Sequence, residues 1–125
     1  MIFKKKNKNI IRVVHYDGLK GFNQDYPCTI EEKEDVFEIK KIKPEMTVTL
    51  PKNKIVKIDY LRDNEFMQKY HNTLGTNDKK HYLVIIYNSD ENSEKQIVFW
   101  GTSFEAIKFS KLKYKYNGNV DNYTL

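Results

Sequence analysis

The chain has a single cysteine (Cys28), two arginines (Arg12 and Arg62), three prolines and five glycines in 125 residues. It has no apolar run near the roughly 20 residues that a bilayer-spanning helix needs. Each scarcity excludes something. One cysteine excludes an internal disulfide framework and a cysteine metal site. The opening MIFKKKNKN has too short an apolar segment for a secretory signal. With so little arginine, the net charge of +5 is almost all lysine, too mild for a dedicated nucleic-acid protein, and the Lys-, Asn- and Ile-rich usage fits an AT-rich genome. His15, His71 and His81 lie far apart, none with a second His or Cys at metal-ligand spacing, so no metal and no cofactor is expected. The chain reads as cytosolic.

What it does have is aromatic bulk. Nine Tyr and seven Phe in one domain-sized chain suit strands around a thick core. The organising stretch runs from Lys80 to Gly118. Tyr82 to Tyr87 and Ile97 to Trp100 are apolar on both faces, and eight polar residues, Asn88 to Lys95, separate them. A helical pattern follows at once. Thr102, three residues before Glu105, forms a capping box, with the hydroxyl taking the Glu105 N–H and the carboxylate returning to the first amides. Gly118 after Asn117 is the stop. Gly101 grants the bend between strand and helix, and Trp100 packs at that corner.

Upstream, residues 1–9 form a basic flexible arm. Ile10 to Tyr16 is strand-like by β-branched content, and the loop to Tyr26 carries Gly18 and Gly21. Its GxxG lacks a P-loop context, so tight turns explain it. Pro27 to Glu32 and Val36 to Ile42 alternate as a hairpin, and Met46, Val48 and Leu50 alternate before Pro51. Lys54 to Leu61 places Val56, Ile58 and Tyr60 on one face. Residues 62–79 read as an irregular excursion with a short helix pairing Phe66 with Tyr70. The expectation is a single mainly β domain: seven antiparallel strands over residues 10–100 in a partly open barrel, one C-terminal helix over 102–117 capping it, and a loose tail at 119–125. Ala106, Ile107, Phe109, Ser110, Leu112, Tyr114 and Tyr116 cover most of that helix, as docking into a barrel mouth requires.

HYDGLKGF, TVTLPKNKIVKID, YLVIIY and VFWGTSFEAIKF together cover nearly the whole chain. In these stretches it resembles the pleckstrin-homology-like (PH-like) barrel, and more closely the small bacterial PH-like proteins of unknown function found in Firmicutes. The resemblance implies a binding task and no shared catalytic chemistry. The lipid-reading version of the fold places several Lys and Arg in the loop after the first strand. Here Lys20 is opposed by Asp17 and Asp25, so the phosphoinositide signature is absent.

Catalytic arrangements do not emerge. Cys28 alternates with Ile30 as a core residue, His81 begins a buried strand, and Glu31, Glu32, Glu34 and Asp35 form an acidic run at a turn. The expected function is a non-enzymatic binding or scaffolding module. A protein or peptide partner would add along a sheet edge, Lys54, Val56, Ile58 and Tyr60, beside the C-terminal helix, and self-association would use the same edge. The alternative is peripheral attachment to the anionic inner membrane face through Lys4, Lys5, Lys6 and Lys8 with a helical stripe of Lys108, Lys111 and Lys115. Single-stranded nucleic acid at KLKYKY ranks last, because the core wants Tyr114 and Tyr116.

Overall fold

The computed structural model describes residues 9–116. The arm lysines Lys4, Lys5, Lys6 and Lys8, the Gly118 stop and the tail lie outside the described residues. Seven strands form one antiparallel sheet: β1 (Ile10–Asp17), β2 (Tyr26–Glu32), β3 (Val36–Ile42), β4 (Glu45–Pro51), β5 (Ile55–Arg62), β6 (His81–Asn88) and β7 (Glu94–Gly101). Helix α1 (Asp63–His71) follows β5, and α2 (Ser103–Tyr116) follows β7. The strand order is β4-β3-β2-β1-β7-β6-β5, so two local meanders meet where β1 pairs with β7, and β4 and β5 are the edges. The sheet is not closed. Yet every strand sends a side chain into one inner cluster, from Ile11, Ile30, Phe37 and Leu50 to Ile58, Leu83 and Phe99. A sheet that shares one core among seven strands has to curl around it.

The two-faced strands are borne out. Leu83, Ile85, Ile97 and Phe99 point into the inner cluster, closed by Phe109 and Leu112 of α2. Tyr82, Val84 and Val98 point outward into a second cluster, roofed by Phe66 of α1. The Phe66 ring stacks on Tyr82 at 3.9 Å between centroids and touches Tyr70 at 4.9 Å. Helix α1 is thus a full second helix that covers the outer face of β5–β7. It starts with the Arg62 N–H donating to Glu65 Oε1 (2.8 Å) and ends at Asn72 in the left-handed region. The buried Asp63 accepts the Asn77 N–H at 3.0 Å and so pins the following loop to the helix start.

Two boundaries differ from expectation. The polar loop between β6 and β7 shrinks to residues 89–93, because Glu94, Lys95 and Gln96 continue the ladder opposite Asn88, Tyr87 and Ile86. In β5 the register slips between Ile55 and Lys57, so Val56 bulges out, 43% exposed, and does not share a face with Ile58 and Tyr60. Ile55 packs against the inner core in its place.

Gly18 is the glycine the fold cannot replace. It has φ +110° at the end of β1, and a Cβ there would overlap the Gln96 carbonyl oxygen and reach within 2.8 Å of the Ile97 Cα.

Candidate functional site

Helix α2 and its flanks hold most of the residues the sequence singles out. Its start is locally encoded. Glu105 Oε1 accepts both the Thr102 N–H (2.7 Å) and the Thr102 hydroxyl (2.8 Å). The expected half of the box in which the hydroxyl takes the Glu105 N–H does not form; that amide donates to the Thr102 carbonyl at 3.1 Å. Gly101 has no positive φ, and its role is space, since a Cβ would stand 2.7 Å from the Glu105 Cβ. Trp100 is held on the outer face of the sheet, its indole N–H donating to Asp25 (2.9 Å) and Lys80 lying 4.4 Å from its ring.

The helix does not plug a barrel mouth with its whole circumference. Only Phe109 and Leu112 are buried, with Tyr116 packed beside them. Phe104 is 84% exposed, Ile107 63% and Tyr114 83%. The physical reason is the open sheet: it offers α2 one concave face, and no other described element rises around the helix to cover its back. These three side chains at i, i+3 and i+10 make an outward apolar stripe that helical pattern alone cannot tell from a core face.

Two hollows flank the helix. One lies between α2 and the edge strand β5, an open cleft of about 600 Å³ lined by Tyr60, Ala106, Ile107, Ser110, Lys111 and Tyr114. Of the expected edge residues, Tyr60 lines this cleft. Ile58 is buried beneath it, Val56 is in the bulge, and Lys54 stands in the short 3-10 turn (Lys52–Lys54) before the strand, paired with Asp90. The β5 edge carries its own guard. The Tyr60 N–H donates to Asp59 Oδ1 (2.9 Å), while Lys69 of α1 and Lys113 of α2 reach the same carboxylate at 3.6 and 3.4 Å. Charges brought to an edge in this way discourage indiscriminate strand pairing.

The second hollow, about 240 Å³, lies on the other flank, between α2 and β1–β3. Ile11, Ile30, Phe37 and Leu112 form its floor, and Lys108, Lys111 and Lys115 line its rim. The lysine stripe therefore does converge on one place. Glu32 shares the lining and is heavily bonded: Lys115 Nζ (2.6 Å), the Tyr116 hydroxyl (2.7 Å) and Lys52 Nζ (3.0 Å) all donate to its Oε2. Burial pushes this carboxyl up, but the three hydrogen bonds and the Lys115 charge outweigh it and hold the pKa at about 2. Sequence spacing reveals the lysines but not Glu32, whose partner Lys115 is 83 residues away.

His15 and His81 are hydrogen-bonded within the fold, and Cys28 is buried. Leu19 N–H donates to His15 Nε2 (3.1 Å), so the ring proton sits on Nδ1 and bonds the Asn23 carbonyl (2.9 Å). His81 Nδ1 meets the Tyr60 hydroxyl at 2.6 Å. Burial pushes the Cys28 thiol up to about 12, with a hydrogen bond to the His15 backbone pulling weakly the other way. It stays a thiol at neutral pH. Among the described residues no group of three or more His, Cys, Asp or Glu side chains could hold a metal, and no helix is long and apolar enough to cross a membrane. Comparison with known protein families and with curated proteins finds no match.

Proposed function

We propose that the chain is a non-enzymatic binding module of PH-like architecture that takes up an extended segment of a partner protein in the cleft between β5 and α2. The observation that carries this is the coincidence of a strand at the end of the described sheet with the exposed apolar back of α2, Ile107 and Tyr114 beside Tyr60. An added strand gains backbone hydrogen bonds from β5, and the cleft selects its side chains. Bulky exposed rings beside such an edge are costly unless a partner covers them. The PH-like reading is supported by the two meanders joined through β1 and β7, the strand order that ends at β4 and β5, and the C-terminal helix against the concave face. The Asp59 guard restricts pairing to partners that supply enough cleft contact to displace it.

The test is selection from a random peptide library, followed by amide chemical-shift mapping. Selected peptides are expected to shift amides of residues 55–61, and Ile107→Ser/Tyr114→Ser to weaken them at least about tenfold. Peptides indifferent to both would remove the proposal. A second copy of the chain on the same edge is the homo-oligomeric version, read by sedimentation over a concentration series.

One further observation favours the membrane alternative: Lys111 lies on the same outward side as Phe104, Ile107 and Tyr114, an arrangement suited to an anionic interface. Co-sedimentation with phosphatidylglycerol vesicles at low salt, abolished by Phe104→Ser/Ile107→Ser, is the result that would replace the peptide by a lipid surface.

A further inference from the structure

The hollow on the β1–β3 flank of α2 is separate in chemistry from the cleft at β5, and we propose that it binds a small amphipathic monoanion: one carboxylate on an alkyl or aryl body of roughly six to ten carbons. Its size sets the body. About 240 Å³ exceeds the roughly 150 Å³ of an apolar cavity that accepts benzene. Its floor sets the character. The side chains of Ile11, Ile30, Phe37 and Leu112 offer water no hydrogen bonds, the one acidic group in the lining, Glu32, already accepts from Lys115, Lys52 and Tyr116, and Asn9 is the one neutral polar side chain beside them. Water against this apolar floor has few partners, and an apolar body displaces it at a gain.

The rim sets the charge. Three lysines face one carboxylate in the lining. Lys115 and Glu32 satisfy each other, which leaves Lys108 and Lys111. Among the described residues, Lys108 Nζ reaches the Ile10 carbonyl at 3.5 Å and has no ion-pair partner, and Lys111 has none either. Two ammonium groups above an apolar floor are complementary to a single anionic head. Glu32, ionised at neutral pH, repels a second negative charge placed deeper, so the site prefers a monoanion to a dianionic phosphate. Lys111 also borders the β5 cleft, so an occupant here fixes a side chain that the peptide cleft shares.

The probe is monomeric octanoate, with 1-octanol as its neutral isostere, titrated into the full-length protein and followed by methyl chemical shifts. Saturable shifts are expected at Ile11, Ile30 and Leu112, with a dissociation constant on the order of 0.1–1 mM. Octanol is expected to bind at least about fivefold more weakly. Lys108→Gln/Lys111→Gln should weaken octanoate about tenfold and leave octanol within about twofold, whereas Lys108→Arg/Lys111→Arg retains octanoate binding. The surface variant Ile107→Ser/Tyr114→Ser should leave octanoate unchanged, so this site and the peptide cleft fail or stand separately. Equal affinity for octanol and octanoate, or shifts centred on Ile107 and Tyr114, would overturn the proposal. So would pelleting with phosphatidylglycerol vesicles in the absence of any octanoate-induced shift, which would assign the lysines to a lipid surface.

Discussion

Glu32 ties the last turn of α2 to β2 and, through Lys52, to the turn after β4, so replacing it by Gln tests how the helix is held. Its carboxyl is lowered from 4.5 to about 2. Held that low in the folded state, it contributes at most about 3–4 kcal/mol. The lysines are partly solvated, Lys115 being 58% exposed, and screening reduces this to roughly 1–2 kcal/mol. The sign follows from the depressed folded value. The contribution is complete above the unfolded pKa near 4.5 and is lost as pH falls toward about 2. Urea unfolding of wild type and Glu32→Gln at pH 7, 5, 3.5 and 2.5 reads it directly. The variant is expected to be about 1–2 kcal/mol less stable at pH 7, with the gap closing across the acid range. A gap independent of pH would refute the ionic account, and no gap at pH 7 would refute the linkage between α2 and β2.

Gly18→Ala is expected to cost more than about 2 kcal/mol, because the new methyl meets backbone of β7 at a φ that side chains avoid; chemical denaturation measures it. Phe66→Ala should cost about 3–4 kcal/mol and strip the near-ultraviolet circular dichroism of the stacked Tyr82, whereas Phe104→Ala on the outward stripe stays within about 0.5 kcal/mol. At the α2 start, Thr102→Ala and Glu105→Ala should each cost about 1 kcal/mol. The double variant should fall short of their sum, since both remove the bond from the Thr102 hydroxyl to the Glu105 carboxylate.

The strands were legible in the sequence because short apolar runs bounded by polar loops leave few alternatives. Leu83 and Ile85 against Tyr82 and Val84 already describe a strand buried on both faces. The Val56 bulge was not legible from Ile58 and Tyr60 alone. The signal available was Ile55, an apolar residue three rather than two positions before Ile58. The exposed back of α2 escaped for a different reason. Apolar content on a helix records which faces are greasy, not which of them the rest of the chain reaches. The stripe of Lys108, Lys111 and Lys115 was readable from helical spacing, but the cavity it borders depends on Ile30, Glu32 and Phe37, placed by strand pairing far upstream.

The meeting of the two meanders has a kinetic meaning. Strands β1–β4 and β5–β7 each fold back on near neighbours in the chain, and among the described residues the ladder between them is short, pairing Val14, His15 and Asp17 with Trp100, Phe99 and Val98. Local hairpins close in microseconds, while a ladder between distant parts of the chain waits for a costly loop to shut. The two meanders are therefore expected to form before the β1–β7 ladder that joins them. Helix α2, rooted in β7 and bonded at its far end to β2, spans that ladder, so its docking is expected to complete the union of the two meanders.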